Sequence, residues 1–130
     1  MTTELQMLVW SSLLGLVYII VAATASALRR GGMWAASSRD ELVPPLTGVA
    51  GRLERAQRNF LETFPFFAAA VLAVAVLDRY SQTTELGAQL YFWGRVLYLP
   101  LYALGIFAVR SIVWFVSAIG IVMLLVALLQ

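Results

Sequence analysis

The stretch RLERAQRNFLETFPFF, residues 52–67, carries a group of arginines into the start of an apolar run. On a helix, Arg55, Asn59 and Glu62 fall at positions i, i+4 and i+7, so their side chains share one face. Glu62 then lies about one turn inside the apolar run, where an ionisable residue is costly and usually faces a bundle interior or a polar cavity. A simpler interpretation is that the arginines extend to lipid headgroups and Glu62 only pairs with Arg58. The stretch therefore predicts a membrane helix and leaves open whether its polar side chains form a functional site.

The composition excludes an ordinary soluble domain. Hydrophobic residues make up 62% of the 130 residues and charged residues only 12%, whereas soluble domains are about half apolar and about a quarter charged. Cys and His are both absent, which excludes disulfides and a cysteine nucleophile and removes the commonest metal ligands, so we expect no metal site. A net charge of +2 on so apolar a chain does not favour a nucleic-acid partner. We therefore predict an integral membrane protein.

Four apolar stretches are long enough to cross a bilayer, which takes about 20 mainly apolar residues. They cover about residues 5–28, 60–77, 86–109 and 111–129. The remainder is one long polar loop and two short connections, in which no second domain is evident. We therefore predict a single all-α domain over residues 1–130, built as a bundle of four transmembrane helices.

The arginines are distributed unevenly among the predicted loops. The loop between the first two spans holds six of them: Arg29, Arg30, Arg39, Arg52, Arg55 and Arg58. The loop between the second and third spans holds only Arg79, and Arg110 lies at the predicted hairpin between the last two spans. Because cytoplasmic loops carry the excess of positive charge, we expect the long loop in the cytoplasm and both termini outside. In a bacterium, the membrane would be the inner one.

Polar side chains also interrupt the third predicted span. Arg95 is roughly ten residues into that span and cannot face lipid cheaply, so we expect it to contact protein. Tyr98 and Tyr102 are four residues apart and therefore form one stripe on the helix. Tyrosines in membrane helices usually form interfacial belts or pack against neighbours, but these two lie nearer the middle of the span than a belt requires.

The motif RAQxNxxExxPxF, residues 55–67, resembles the signature of the MAPEG family, the membrane-associated proteins in eicosanoid and glutathione metabolism. Upstream, PPLTG at residues 44–48 is similar to the loop before that signature in the leukotriene-C synthases. Downstream, GRV at residues 94–96, the two tyrosines and the pair Arg110-Ser111 resemble the third helix of the family. The resemblance extends over essentially the whole chain and favours a member similar to the microsomal glutathione transferases.

The resemblance implies a homotrimer of four-helix protomers that binds glutathione between neighbouring subunits, near the cytoplasmic side. The glutathione-binding positions of the family match Arg55, Gln57, Arg58, Asn59, Glu62, Tyr98, Tyr102 and Ser111. Arg110 matches the arginine that stabilises the glutathione thiolate, which makes it the candidate catalytic residue. The first loop is longer than in the leukotriene synthases, so it stays open which of Arg29, Arg30 and Arg39 reaches the ligand.

The charges of these residues complement glutathione. With its thiol ionised, glutathione carries three negative charges and one positive charge, a net of about −2. Arg55, Arg58 and Arg110 against Glu62 supply the opposite total. Forked guanidinium groups suit the carboxylates, a carboxylate suits the ammonium group, and Asn59 can orient the peptide. A free thiol titrates at about pH 8.5, so a guanidinium beside the sulfur would increase the nucleophilic thiolate fraction at neutral pH.

These features favour a membrane-embedded glutathione transferase or peroxidase, a detoxifying enzyme with glutathione as co-substrate. Its second substrates would be lipophilic electrophiles or lipids that enter from the bilayer. One alternative is a non-catalytic member of the same fold that binds lipid or presents a partner. A more remote alternative is a small multidrug exporter, which also has four spans. Such exporters use an acidic residue in the first span, and residues 5–28 contain none.

Overall fold

The computed structural model describes residues 1–130 and consists of five α-helices. They are α1 (Thr3–Arg30), the short α2 (Gly32–Ala36), α3 (Gly48–Leu77), α4 (Gln82–Ala103) and α5 (Phe107–Leu129). α4 and α5 form the most extensive helix pair, and α3 packs against α1, α4 and α5. The prediction of an all-α protein is therefore confirmed.

Three of the helices, α1, α3 and α5, are long and apolar enough to cross a membrane. α4 has 22 residues, which at a rise of about 1.5 Å per residue also matches the hydrocarbon thickness of a bilayer, but it is less apolar because it carries Arg95 and a polar first turn. Large side chains such as Trp10, Phe66, Trp93 and Ile112 are exposed along the four long helices. Of the four predicted spans, three thus meet the requirement by length and composition.

Two hydrophobic clusters hold the bundle together. The cluster next to both chain termini centres on Phe67 and Tyr91, whose rings stack with 4.1 Å between their centroids. The cluster nearer the arginines includes Tyr18, Phe60 and Tyr98. In it the Tyr18 and Phe60 rings lie 4.7 Å apart and join α1 to α3. This second cluster is the apolar base on which the polar residues of the candidate site lie.

α4 and α5 approach each other closely because glycines face each other between them. A Cβ atom on Gly120 would collide with the backbone oxygen of Gly87. A Cβ atom on Gly87 would lie 2.7 Å from the backbone oxygen of Gly120. Small residues allow this close backbone approach between membrane helices. The contact fixes the position of α5, and with it Arg110, relative to α4.

The turn between the last two helices lies earlier than predicted. The expected third span, residues 86–109, and the expected hairpin at Arg110 are wrong, because the helices are separated at residues 104–106. Gly105 turns the chain there with a φ of 76°, a conformation that glycine adopts at little cost. The surrounding sequence is apolar throughout, so hydropathy does not mark a turn within it. Arg110 and Ser111 therefore belong to the first turns of α5 and not to the end of α4.

Helix α3 begins well before the second predicted span, residues 60–77. Its N-terminal turns carry Arg52, Arg55 and Arg58, which were expected in a loop. Hydropathy identifies only the apolar part of a helix that continues beyond the membrane, and so it misses these polar turns. Arg39 is the only one of the six expected loop arginines that lies outside a helix. The helix consequently fixes the spacing of three cations directly below the apolar run.

Candidate functional site

A polar cavity of about 220 Å³ opens between α3, α4 and α5, at the end of the bundle that holds most of the arginines. We call it the interhelical cavity. Five of its lining residues were predicted from the sequence, and two, the aromatic residues Trp114 and Phe115, were not. The complete lining is Asn59, Tyr98, Tyr102, Arg110, Ser111, Trp114 and Phe115.

Tyr102, in the last turns of α4, brings two arginines together at the edge of this cavity. The guanidinium carbon of Arg110 lies 4.4 Å from the centre of the Tyr102 ring, and Arg55 Nε donates a hydrogen bond to the Tyr102 hydroxyl oxygen at 3.2 Å. Tyr98 packs edge-on against the same ring, with 5.4 Å between centroids. Neither arginine has a carboxylate partner, so both can bind an anionic group at this edge.

Asn59 accepts hydrogen bonds from two donors on different helices. Arg95 Nη1 donates to Asn59 Oδ1 at 2.9 Å, and Trp114 Nε1 donates to the same oxygen at 3.1 Å. Arg95 is fully buried, and its guanidinium carbon lies 4.2 Å from the centre of the Tyr98 ring. The Tyr18 hydroxyl donates to the Arg95 carbonyl oxygen at 2.6 Å. The expectation that Arg95 contacts protein is confirmed, and its partners are in the same chain.

A second depression of about 430 Å³ lies along α3, lined by Glu54, Gln57, Arg58, Leu61 and Glu62. We call it the α3 groove. Glu62 is exposed there and forms no ion pair within the protomer. Arg58 pairs instead with Glu54, with 3.2 Å between Nη2 and Oε1, so the interpretation that Glu62 pairs with Arg58 is wrong. The order of charges explains this choice, because a glutamate four residues before its cation is the more stabilising arrangement on a helix.

The residues that match glutathione-binding positions are thus divided between two neighbouring places on the protomer. Arg55, Asn59 and Glu62 follow one side of α3, but Glu62 opens onto the α3 groove together with Gln57 and Arg58. The remaining five lie at the interhelical cavity. Arg55 contacts Tyr102 at its edge, and the other four line it: Asn59, Tyr98, Tyr102 and Ser111. A single protomer therefore does not surround one ligand with all of them.

Two residues that position the site, Trp114 and Arg52, were not predicted to do so from the sequence. Trp114 lies one helical turn after Arg110, so the i+4 spacing would have indicated it had the start of α5 been known. Arg52 Nε donates to the carbonyl oxygen of Ala103 at 2.9 Å, and it thereby holds the end of α4 immediately before the turn at Gly105. The sequence gives no sign of this contact, because Arg52 was expected to lie in a loop.

The arginines of the first connection form a group of their own around Trp34 of α2. The guanidinium carbons of Arg30 and Arg39 lie 4.7 and 5.4 Å from the centre of a Trp34 ring. All three line a cavity of about 440 Å³ that also reaches Gln57. Arg29 lies outside this cavity. Arg30 and Arg39 are therefore the better placed of the three arginines left open by the sequence.

These features are typical of an integral membrane protein: an apolar helical bundle, one buried arginine and a cationic cavity at one end. The chain belongs to the MAPEG family, whose family model matches residues 7–130. No curated protein and no solved structure matches the chain. Because the chain belongs to this family, the alternative that it is a small multidrug exporter is dropped.

Proposed function

We propose that the protein is a membrane-embedded glutathione-dependent transferase or peroxidase that acts on lipophilic electrophiles. The observation that carries the proposal is the pairing of an anion-binding cavity edge, formed by Arg55 and Arg110, with Glu62, an exposed carboxylate that has no cation partner. Glutathione has two carboxylates, an ammonium group and a thiol, which is the complementary set. The MAPEG family includes glutathione transferases and peroxidases.

The distribution of these groups supports a site shared between subunits. Glu62 lies on the protomer surface next to exposed apolar side chains such as Leu61 and Phe66. An ionised carboxylate facing lipid is costly, whereas the same carboxylate facing a neighbouring subunit and a ligand ammonium group is compensated. We therefore infer that the interhelical cavity of one protomer is completed by another, in the homotrimer that the family resemblance implies. The Trp34 group, with Arg30 and Arg39, is a candidate for the neighbour's contribution.

Arg110 is the residue that we assign to thiol activation. Its guanidinium lies at the cavity edge, where it can stabilise a thiolate in preference to a thiol. In a substitution, the thiolate sulfur attacks the electrophilic carbon of the second substrate, and the bond to the leaving group breaks as the carbon–sulfur bond forms, so that the leaving group departs with the electron pair. In an addition, the carbon–carbon π bond breaks instead, and the resulting carbanion takes up a proton from water. No histidine is needed, because the cation acts through its charge and takes up no proton.

The arrangement of the helices also supports the predicted orientation. The N-terminal end of α3 and the turn between α4 and α5 lie at the same end of the bundle, as the Arg52–Ala103 and Arg55–Tyr102 hydrogen bonds require. The C-terminal end of α1 lies there too, because Arg30 lines one cavity with Gln57. The arginines at this end favour the cytoplasmic side. Both chain termini would then lie outside, and in a bacterium the membrane would be the inner one.

The direct test uses the purified protein in mild detergent or in lipid nanodiscs. Two activities should be measured: conjugation of glutathione to a panel of lipophilic electrophiles and glutathione-dependent reduction of lipid hydroperoxides. Arg79→Ser serves as the control for Arg110→Ser, since both variants lose one cation. Arg79 lies at the opposite end of the bundle, where it donates to the Leu128 carbonyl oxygen. Turnover with either substrate class supports the proposal. Binding of glutathione without any turnover would favour the non-catalytic alternative, and an active monomer would refute the shared site.

A further inference from the structure

We propose that Arg95 and Trp114 fix the Asn59 amide group so that its nitrogen, and not its oxygen, faces the ligand. The interhelical cavity then requires a carbonyl or carboxylate oxygen of the ligand at this point and disfavours a donor such as an ammonium group. This inference rests on the proposed function, since glutathione is the ligand used to test it. Asn59 is the only asparagine in the chain.

The orientation of the amide follows from the chemistry of its neighbours. Arginine and tryptophan N–H groups can donate hydrogen bonds but cannot accept them. The atom of Asn59 that meets Arg95 Nη1 at 2.9 Å and Trp114 Nε1 at 3.1 Å must therefore be the oxygen. With both donors on Oδ1, the Nδ2 group points the other way, and it donates to no other group of the protomer. Asn59 lines the interhelical cavity, so this free donor is available to a ligand.

The two donors are themselves held in place. Arg95 is fully buried among three rings, with its guanidinium carbon 4.2 Å from the Tyr98 centroid, 5.5 Å from that of Phe60 and 5.8 Å from that of Tyr18. The side chain has no space to swing away without opening this cluster. Trp114 reaches Asn59 from α5, so the amide on α3 is fixed by donors on both of the other helices that form the cavity. Arg95 and Trp114 act here as positioning residues.

This arrangement also assigns the ligand groups to different places. A fixed N–H donor one helical turn from Arg55 suits the carboxylates and the peptide carbonyl groups of glutathione, while Arg110 is left for the thiolate. The ammonium group of the same ligand would meet only donors and cations in this cavity, and it is left for Glu62. Since a polar group left unpaired in such a site costs much of the binding energy, ligand orientation depends on which atom Asn59 presents.

The substitution Asn59→Asp tests the proposal because it keeps the shape of the side chain and both hydrogen bonds to its oxygen. The new carboxylate still accepts from Arg95 and Trp114, so we expect the thermal midpoint of unfolding to be unchanged or higher. It has lost the donor and gained a negative charge, so the Kd for glutathione, measured by calorimetry on the detergent-solubilised protein, should rise at least tenfold. Gln82→Glu is the control, since it makes the same chemical change at the exposed first residue of α4.

A double-mutant cycle separates positioning from simple structural support. Trp114→Phe removes one of the two donors and should raise the Kd several-fold in the wild-type background. In the Asn59→Asp background it should change the Kd little, because no donor is left to position. Trp93→Phe on the exposed face of α4 is the matched control. With glutathione as the varied substrate, Trp114→Phe should raise KM with little loss of kcat.

The possible failures are distinguishable. If the wild-type protein does not bind glutathione, the proposed function is refuted, and this inference with it. If the wild-type protein binds and Asn59→Asp binds equally well, only the inference is overturned. Equal effects of Trp114→Phe in both backgrounds would also overturn it, because they would show that Trp114 acts independently of the Asn59 amide.

Discussion

Replacing Arg110 with serine tests the chemical step of the proposed mechanism. The Arg110 guanidinium lies over Tyr102 at the edge of the interhelical cavity and has no carboxylate partner. A nearby cation favours the thiolate over the neutral thiol and so lowers the pKa of the thiol of bound glutathione. Arg110→Ser should therefore raise that pKa and move the acid limb of the rate–pH profile to higher pH. Binding of glutathione with a neutral thiol should change little.

The size of the effect can be worked out for a thiolate in contact with the Arg110 guanidinium. Two unit charges about 4 Å apart interact by about 4 kcal/mol at an effective dielectric constant of about 20. Arg110 is only half-buried, so solvent screening reduces this to about 1.5–2 kcal/mol. Since one pKa unit corresponds to about 1.4 kcal/mol, the thiol pKa should rise by about one unit. At pH values below the thiol pKa of the wild-type complex, the thiolate fraction and the turnover should both fall about tenfold in Arg110→Ser.

The assay is a pH titration of the ultraviolet absorbance of the bound thiolate, together with kcat at each pH. Wild-type protein, Arg110→Ser and the control Arg79→Ser should be compared at saturating glutathione. A raised thiol pKa with a parallel loss of turnover in Arg110→Ser alone supports the assignment. If the thiol pKa is unchanged in Arg110→Ser, Arg110 serves only to anchor the helix at the interface, and thiol activation must be assigned elsewhere.

Three further outcomes are expected. Glu62→Gln should raise the Kd for glutathione about tenfold or more in a calorimetric titration while leaving the pKa of the bound thiol unchanged, since a charge-assisted hydrogen bond is worth about 1.5–3 kcal/mol; equal affinity would remove Glu62 from the site. Single cysteines at Ser38 and Gln82 should react with an impermeant thiol reagent from opposite sides of the membrane. Gln82 is chosen because the neighbouring Ser81 side chain caps α4. Gly120→Ala should lower the thermal midpoint of unfolding by a destabilisation of about 1–3 kcal/mol, because its methyl group would meet the α4 backbone; an unchanged midpoint would mean that the helices can separate freely.

Much of the fold was predictable because long apolar runs have few structural solutions. The all-α architecture and the burial of Arg95 both follow from the cost of exposing polar groups to lipid. The helix ends were less predictable. The turn around Gly105 lies inside continuous apolar sequence, and the N-terminal turns of α3 lie in an arginine-rich sequence outside the apolar run. In both places hydropathy, which reports the membrane environment, does not mark the helix end, because a helix end depends on backbone conformation.

The composition of the site was predictable, but its internal contacts were not. Spacing on α3 indicated that Arg55, Asn59 and Glu62 share one side of a helix, and they do. Spacing does not tell which of two glutamates pairs with Arg58, since Glu54 and Glu62 are both four residues away. The contact of Trp114 with Asn59 depends on the register between α3 and α5. The Gly87–Gly120 contact and the turn at Gly105 fix α5 against α4 and so contribute to that register, and neither is visible in a hydropathy pattern.

Arg95 and Glu62 show two different ways to place a charge in an apolar helix. The cost of burying Arg95 is reduced inside the protomer by the hydrogen bond to Asn59 and by the faces of three aromatic rings. Its Nε and Nη2 atoms nevertheless have no hydrogen-bond partner, so the side chain is retained at a cost to stability. Glu62 forms no ion pair within the protomer. A buried cation that orients the one asparagine, together with an exposed carboxylate without a partner, is difficult to explain as packing. The combination is explained if Asn59, held by Arg95, and Glu62 bind opposite ends of a ligand that carries both carboxylates and an ammonium group.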